Sequence, residues 1–149
     1  MKDHAADILA IIRNLDIDNV VLVGLSMVAQ LIAGLGNLGG LRGLILISLA
    51  PLTPLCLPED MREQQIHAND DETSAEFVAR NVLTAAPHSD SVMVSLVSDM
   101  LRGNQDARAA WPSYGMAEDI SAAASAIACP VLVVAIANDK VEPLERVQK

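Results

Sequence analysis

The stretch VVLVGLSMVAQLIAGL, residues 20–35, constrains this chain more than any other. Its first part, residues 20–23, is too short an apolar run for a helix and reads as a strand buried on both faces. Gly24 breaks the run. Beyond it, Val28, Leu31, Ile32 and Leu35 recur at i, i+3, i+4 and i+7, the spacing of one helical face. Ser26 therefore lies where a strand becomes a helix. That is the arrangement of a nucleophile elbow, in which a sharp turn thrusts a hydroxyl outward beside the backbone N–H groups of a helix start.

The rest of the chain supplies a setting for such a turn. Residues 3–15 carry Ile8, Ile11, Ile12 and Leu15 on one helical face, and the polar run Asp16, Asp18, Asn19 leads into the strand. After the elbow helix, Gly34, Gly36, Gly39 and Gly40 form a loose connection to a second apolar run at residues 44–49. Two such strands joined by a helix imply a right-handed βαβ unit in a parallel sheet covered on both faces. Pro51, Pro54 and Pro58 then interrupt regular structure, and residues 59–72 are polar and acidic. Helices are expected at residues 74–83 and 91–102, the second closed by Gly103. Residues 120–128 are alanine-rich and helical in pattern, Pro130 stops them, and residues 131–135 form a third buried strand. Asp139 lies just past it, and Pro143 suits the first turn of a short final helix. The expected organisation is α/β: a core from residues 1–56 and 117–149, with a helical lid at 57–116 holding all three aromatics, Phe77, Trp111 and Tyr114.

At 149 residues and 52% apolar, the chain is the size of one domain and buries a genuine core. Its net charge of −9 without any cluster of Lys or Arg argues against nucleic-acid and anionic-membrane surfaces. Cys56 and Cys129 make no C-x-x-C motif and read as ordinary thiols. No signal-peptide pattern or membrane-length apolar span occurs, which places the chain in the cytoplasm.

Three other features look like sites and are better read otherwise. Gly34, Gly36 and Gly39 spell G-x-G-x-x-G with Glu59 and Asp60 downstream, but the dinucleotide fingerprint follows a strand and opens a helix, whereas this one ends a helix and enters a strand. Asp70, Asp71 and Glu72 lack the loop register of a cation site and read as a solvated lid loop. Trp111 and Tyr114 either line a pocket beneath the lid or pack it. No metal and no cofactor is expected.

Four segments resemble the α/β-hydrolase fold family in its esterase and haloperoxidase-like branch. DILAIIRNLDIDNVVLVG is similar to the run before that family's nucleophile, and GLSMV stands where G-x-S-x-G is expected. LRGLILISLAP resembles the next strand. AWPSYGMAEDISAAASAIACP resembles the end of the lid, and PVLVVAIANDKVEP the strand and loop presenting the triad acid.

The resemblance implies a parallel-sheet hydrolase core with an inserted lid and a small-molecule acyl substrate. In it Ser26 is nucleophile, Asp139 orients a histidine, and the Met27 N–H is half of the oxyanion hole. Leu25, Trp111 and Tyr114 become pocket candidates. The sequence also departs from the family. Val28 replaces the glycine two residues after the serine, Ala29 a second common glycine, and Leu25 a frequent histidine. Val28 leaves two alternatives open, a widened working elbow or a relaxed turn that no longer aims the hydroxyl. The family's earlier HG-type loop has no counterpart, and no histidine follows Asp139; His4, His67 and His88 match no family position and read as surface or lid residues. The expectation is thus an incomplete serine hydrolase with little or no turnover alone, the alternative being a non-catalytic binding remnant. With the earlier strands missing, the strand before Ser26 becomes an exposed edge expected to drive self-association.

Overall fold

The computed structural model describes residues 2–147. In chain order they form α1 (Lys2–Asn14), β1 (Val20–Leu25), α2 (Met27–Ala33), β2 (Leu41–Ile47), α3 (Glu59–Ile66) and α4 (Glu72–Val78). A π-helical turn (Ala79–Leu83) follows, then α5 (Asp90–Arg102), α6 (Gln105–Ser113), a 3-10 turn (Gly115–Ala117), α7 (Ser121–Ala124), β3 (Val131–Val134) and α8 (Leu144–Val147).

The chain divides into two compact units, Met1–Leu55 with Ala117–Lys149, and Cys56–Met116. The first is built on a three-stranded parallel sheet in the order β1-β2-β3. This is the α/β arrangement that the two apolar runs and their joining helix require. Register pairs Val23 with Ile45 and Leu132, and Leu22 with Leu44 and, through it, Val131. One sheet face is covered by α2, whose residues Ala29, Gln30, Leu31, Ile32 and Ala33 are all buried, against Leu44 and Leu46 of the central strand. Burial of five consecutive residues, on more than one side of the helix, explains why its run of apolar residues is wider than one stripe.

The expectation of strands buried on both faces fails for β1 and β3. Val21, Val23 and Leu25 of β1 are more than half exposed, as is Leu132 of β3. Alternate residues of a strand point to opposite faces, so the register gathers these side chains on the sheet face away from α2. Nothing among the described residues of this unit covers that part of the face.

The second unit is helical. Helices were expected at α5 and in the region of α4, but two others carried no signal. EDMREQQI of α3 has no buried residue and hence no apolar stripe, and α6 contains Pro112. Local caps start two of this unit's helices: the Asp71 side chain accepts from Ser74 N–H at 2.8 Å at α4, and Asn104 accepts from Asp106 N–H at 2.8 Å at α6. The alanine-rich segment gives only one turn of helix, α7, ending well before Pro130.

Candidate active site

The turn between β1 and α2 is a strained one. Ser26 has φ 52° and ψ −119°, the first central position of a type II′ turn, which glycine normally occupies. Serine sits there at a cost of about 1–3 kcal/mol, sustained only where the surroundings over-determine it. Three bonds do so. Ser26 N–H donates to the Ile47 carbonyl at 2.9 Å, continuing the β1–β2 ladder, while its own carbonyl accepts from Gln30 N–H at 3.2 Å and Ala50 N–H at 3.4 Å.

Ser26 occupies the N-cap position of α2, yet its side chain makes no capping hydrogen bond. A serine at a helix start ordinarily turns its oxygen back onto the N2 or N3 amide. Here the φ/ψ values direct it elsewhere, and the hydroxyl remains available. Met27, the next residue, is the first of α2, where backbone N–H groups have no partner within the helix.

Of the two alternatives that Val28 posed, the relaxed turn does not occur. Val28 is 39% exposed, and it is its backbone that lies against the strand at Gly24. A Cβ on Gly24 would lie 2.8 Å from the carbonyl carbon and oxygen of Val28 and from the Ala29 nitrogen. Gly24, in β1 two residues before the serine, is therefore the glycine that lets helix and strand approach.

Two residues that the spacing did not single out hold the segment after β2 in place, Gln30 against the elbow helix and Ser48 against the end of β3. Gln30 is 1% exposed and its Nε2 donates to the Pro51 carbonyl at 2.6 Å. Ser48 is buried with φ 44° and donates its N–H to the Val134 carbonyl at 2.8 Å. A glutamine in the middle of the otherwise apolar run of residues 27–35 was the one legible hint.

Asp139 lies in the loop after β3, its Oδ1 accepting from Val141 N–H at 2.8 Å and Glu142 N–H at 2.9 Å. Burial opposes ionisation of this carboxyl, but the N–H groups of Glu142 and Val141 and the Ser48 side chain outweigh it, holding Asp139 below the usual carboxylate range. Glu142, nearby, behaves oppositely: burial pushes it up, despite Arg146 Nη1 at 3.3 Å. Ser26 and Asp139 thus stand at the C-terminal ends of strands two positions apart, about 10 Å between strand axes.

The other candidates lie elsewhere. Leu25 ends β1, more than half exposed. Trp111 is half-buried and Tyr114 exposed in the second unit, and neither lines that unit's apolar cavity of about 580 Å³, whose walls include Met61, Phe77, Val78 and Val82. His67 is engaged by Asp70 at 2.6 Å and Glu63 at 3.5 Å, and the hydrogen bond and charge of Asp70 raise its pKa. Ala5, next to His4, lines a cavity with Leu31 and Gly34 at the end of α2 remote from Ser26. His88 is exposed. Gly36 packs on Ile127, which a Cβ there would strike, a structural use for that glycine of the G-x-G-x-x-G run. Among the described residues no three His, Cys, Asp or Glu side chains are grouped to hold a metal ion, and no helix is long and apolar enough to cross a membrane.

A parallel sheet with a strained serine turn after one strand, an acid after another and a helical unit inserted between them is part of the α/β-hydrolase fold. Solved structures bear this out. The chain is similar to an esterase from Exiguobacterium antarcticum (TM-score 0.83, 21% identity), covering 97% of this chain and 58% of that one. It is also similar to a bromoperoxidase from Bacillus anthracis (TM-score 0.83, 14% identity, 95% and 58%). A hydrolase from Pseudomonas aeruginosa PA01 matches with TM-score 0.71 at 20% identity, over 97% and 56%. The chain therefore spans less than two thirds of the length of these structures. No family model and no curated protein matches it.

Proposed function

We propose that this chain carries the nucleophile and acid of a serine hydrolase acting on a carboxylic ester or related acyl substrate. The observation that supports this most is Ser26 itself, held in a costly backbone conformation with its hydroxyl withheld from helix capping. In this reading Ser26 Oγ attacks the acyl carbonyl carbon and the Met27 N–H stabilises the resulting oxyanion. The serine proton passes to an imidazole oriented by Asp139. The resemblance puts that histidine after Asp139, where this sequence has none, so the 149 residues alone are expected to give little or no turnover.

A fluorophosphonate probe tests the proposal without needing turnover. Covalent labelling of the folded chain that disappears in Ser26→Ala supports it. Folded protein that takes no label rejects it and favours a binding role for the same fold.

The free thiols Cys56 and Cys129 suit a reducing compartment, and we place the protein in the cytoplasm. The β1 edge, with Val21 and Val23 exposed beside it, directs self-association of the chain. Sedimentation velocity should show a concentration-dependent rise in mass. A monodisperse monomer with slowly exchanging amides at residues 20–23 would contradict this.

A further inference from the structure

We propose that the helical unit carries a binding site for a small hydroxycarboxylate, in a polar cavity between the turn after α3 and the start of α6, with Arg108 taking the carboxylate and Asn69 the hydroxyl. The site belongs to the second unit alone and does not depend on the chemistry read into Ser26. Its cavity measures about 350 Å³, and the wall includes His67, Asn69, Asp70 and Arg108. That volume falls among those of small-molecule sites and far above the roughly 30 Å³ of a single water.

Two atoms of this wall lack partners. Arg108 is half-buried, and its Nη1 donates to the Asn69 carbonyl at 2.5 Å, tying α6 to the turn after α3. That bond uses one of the five guanidinium donors. Among the described residues it is the side chain's one hydrogen bond, and no carboxylate is paired with the charge. Arg108 Nε is buried without a partner, and so is Asn69 Oδ1. Each is a polar group withdrawn from water with nothing in return, and the two sit on residues already joined to one another.

This pair defines the ligand. A guanidinium with no acid on it favours an anion, and its planar Nε edge matches the two oxygens of a carboxylate. Asn69 Oδ1 only accepts, so the same ligand must also offer a donor. A hydroxyl beside a carboxylate meets both needs. The charges of the wall agree with a monoanion. Asp70 is its one acid and is engaged by His67 at 2.6 Å, and the hydrogen bond and charge of Asp70 raise the His67 pKa, so that pair holds its proton and approaches neutrality. Arg108 is then the one charge left to balance. Ile66 and Ala109, also in the wall, give a short carbon skeleton an apolar surface.

The test is a titration of the nitrogen-15-labelled full chain with sodium lactate, propionate or inorganic phosphate at matched ionic strength, following the Arg108 Nε–H cross-peak. Lactate should move that peak saturably. Propionate, which has no hydroxyl and leaves Asn69 Oδ1 unpaired, should bind about tenfold more weakly. Arg108→Lys keeps the charge and a donor for the Asn69 carbonyl but loses the planar edge, and should weaken lactate about tenfold, read at the Asn69 backbone amide. A lactate response that does not saturate overturns the proposal. So does propionate binding as tightly as lactate, phosphate binding more tightly than lactate, or a folded Arg108→Lys chain with unchanged lactate affinity. The wild-type comparisons decide the question by themselves if the lysine variant does not fold.

Discussion

Ser26→Gly is expected to make the chain more stable while abolishing fluorophosphonate labelling. At φ 52° and ψ −119° a serine carries about 1–3 kcal/mol of backbone strain that glycine does not. Glycine loses more conformational entropy on folding, about 0.5–1 kcal/mol. The net gain is about 1 kcal/mol, read as a higher urea midpoint. Ser26→Ala removes the same hydroxyl and keeps the Cβ, so it should lose the label with stability near wild type. The difference between the two variants isolates the backbone contribution. If glycine is no more stable than alanine, the turn is not strained in solution, and the structural case for an aimed hydroxyl fails with it.

The opposite result is expected at Gly24, where even a methyl group is too much. Its Cβ would meet three backbone atoms of Val28 and Ala29 at 2.8 Å, and backbone cannot rotate out of the way. Gly24→Ala should lower stability by about 2–3 kcal/mol and reduce labelling, because α2 must be pushed off β1. Val28→Gly restores the residue common in the family at that position, yet should bring no gain. The Val28 side chain is largely outside the contact, and glycine within a helix costs about 0.5–1 kcal/mol. A Val28→Gly chain that labels markedly faster than wild type would show that the side chain obstructs the elbow after all.

The contrast between Gly24 and Val28 illustrates how far the sequence could be read. The strand–serine–helix order was legible because strand and helix periods differ and change at Gly24. Which glycine the close approach needs was not, because that depends on which backbone atoms face one another across the turn. Likewise the helix at residues 91–102 announced itself through apolar spacing, whereas α3, solvated on all sides, and α6, with Pro112 inside it, gave none. Gln30 and Ser48 were passed over for a related reason. A polar residue acquires meaning as a clamp only when the carbonyl it meets, far along the chain, is known.

The sequence by itself determined the α/β class, the three parallel strands, the place of Ser26 at a strand-to-helix turn and the place of Asp139 past the last strand. These follow from local periodicity and from turn residues, which act over a few positions. Tertiary structure alone decided that Ser26 adopts its strained conformation despite Val28, that its hydroxyl is spared from capping, and that one face of β1 lies bare. Each of these depends on groups brought together from distant parts of the chain: the Ile47 carbonyl, the Ala50 amide and the register of β1 on β2. The turn that organises the chain is written locally, but the strain that makes it a candidate for chemistry is imposed from the neighbouring strand.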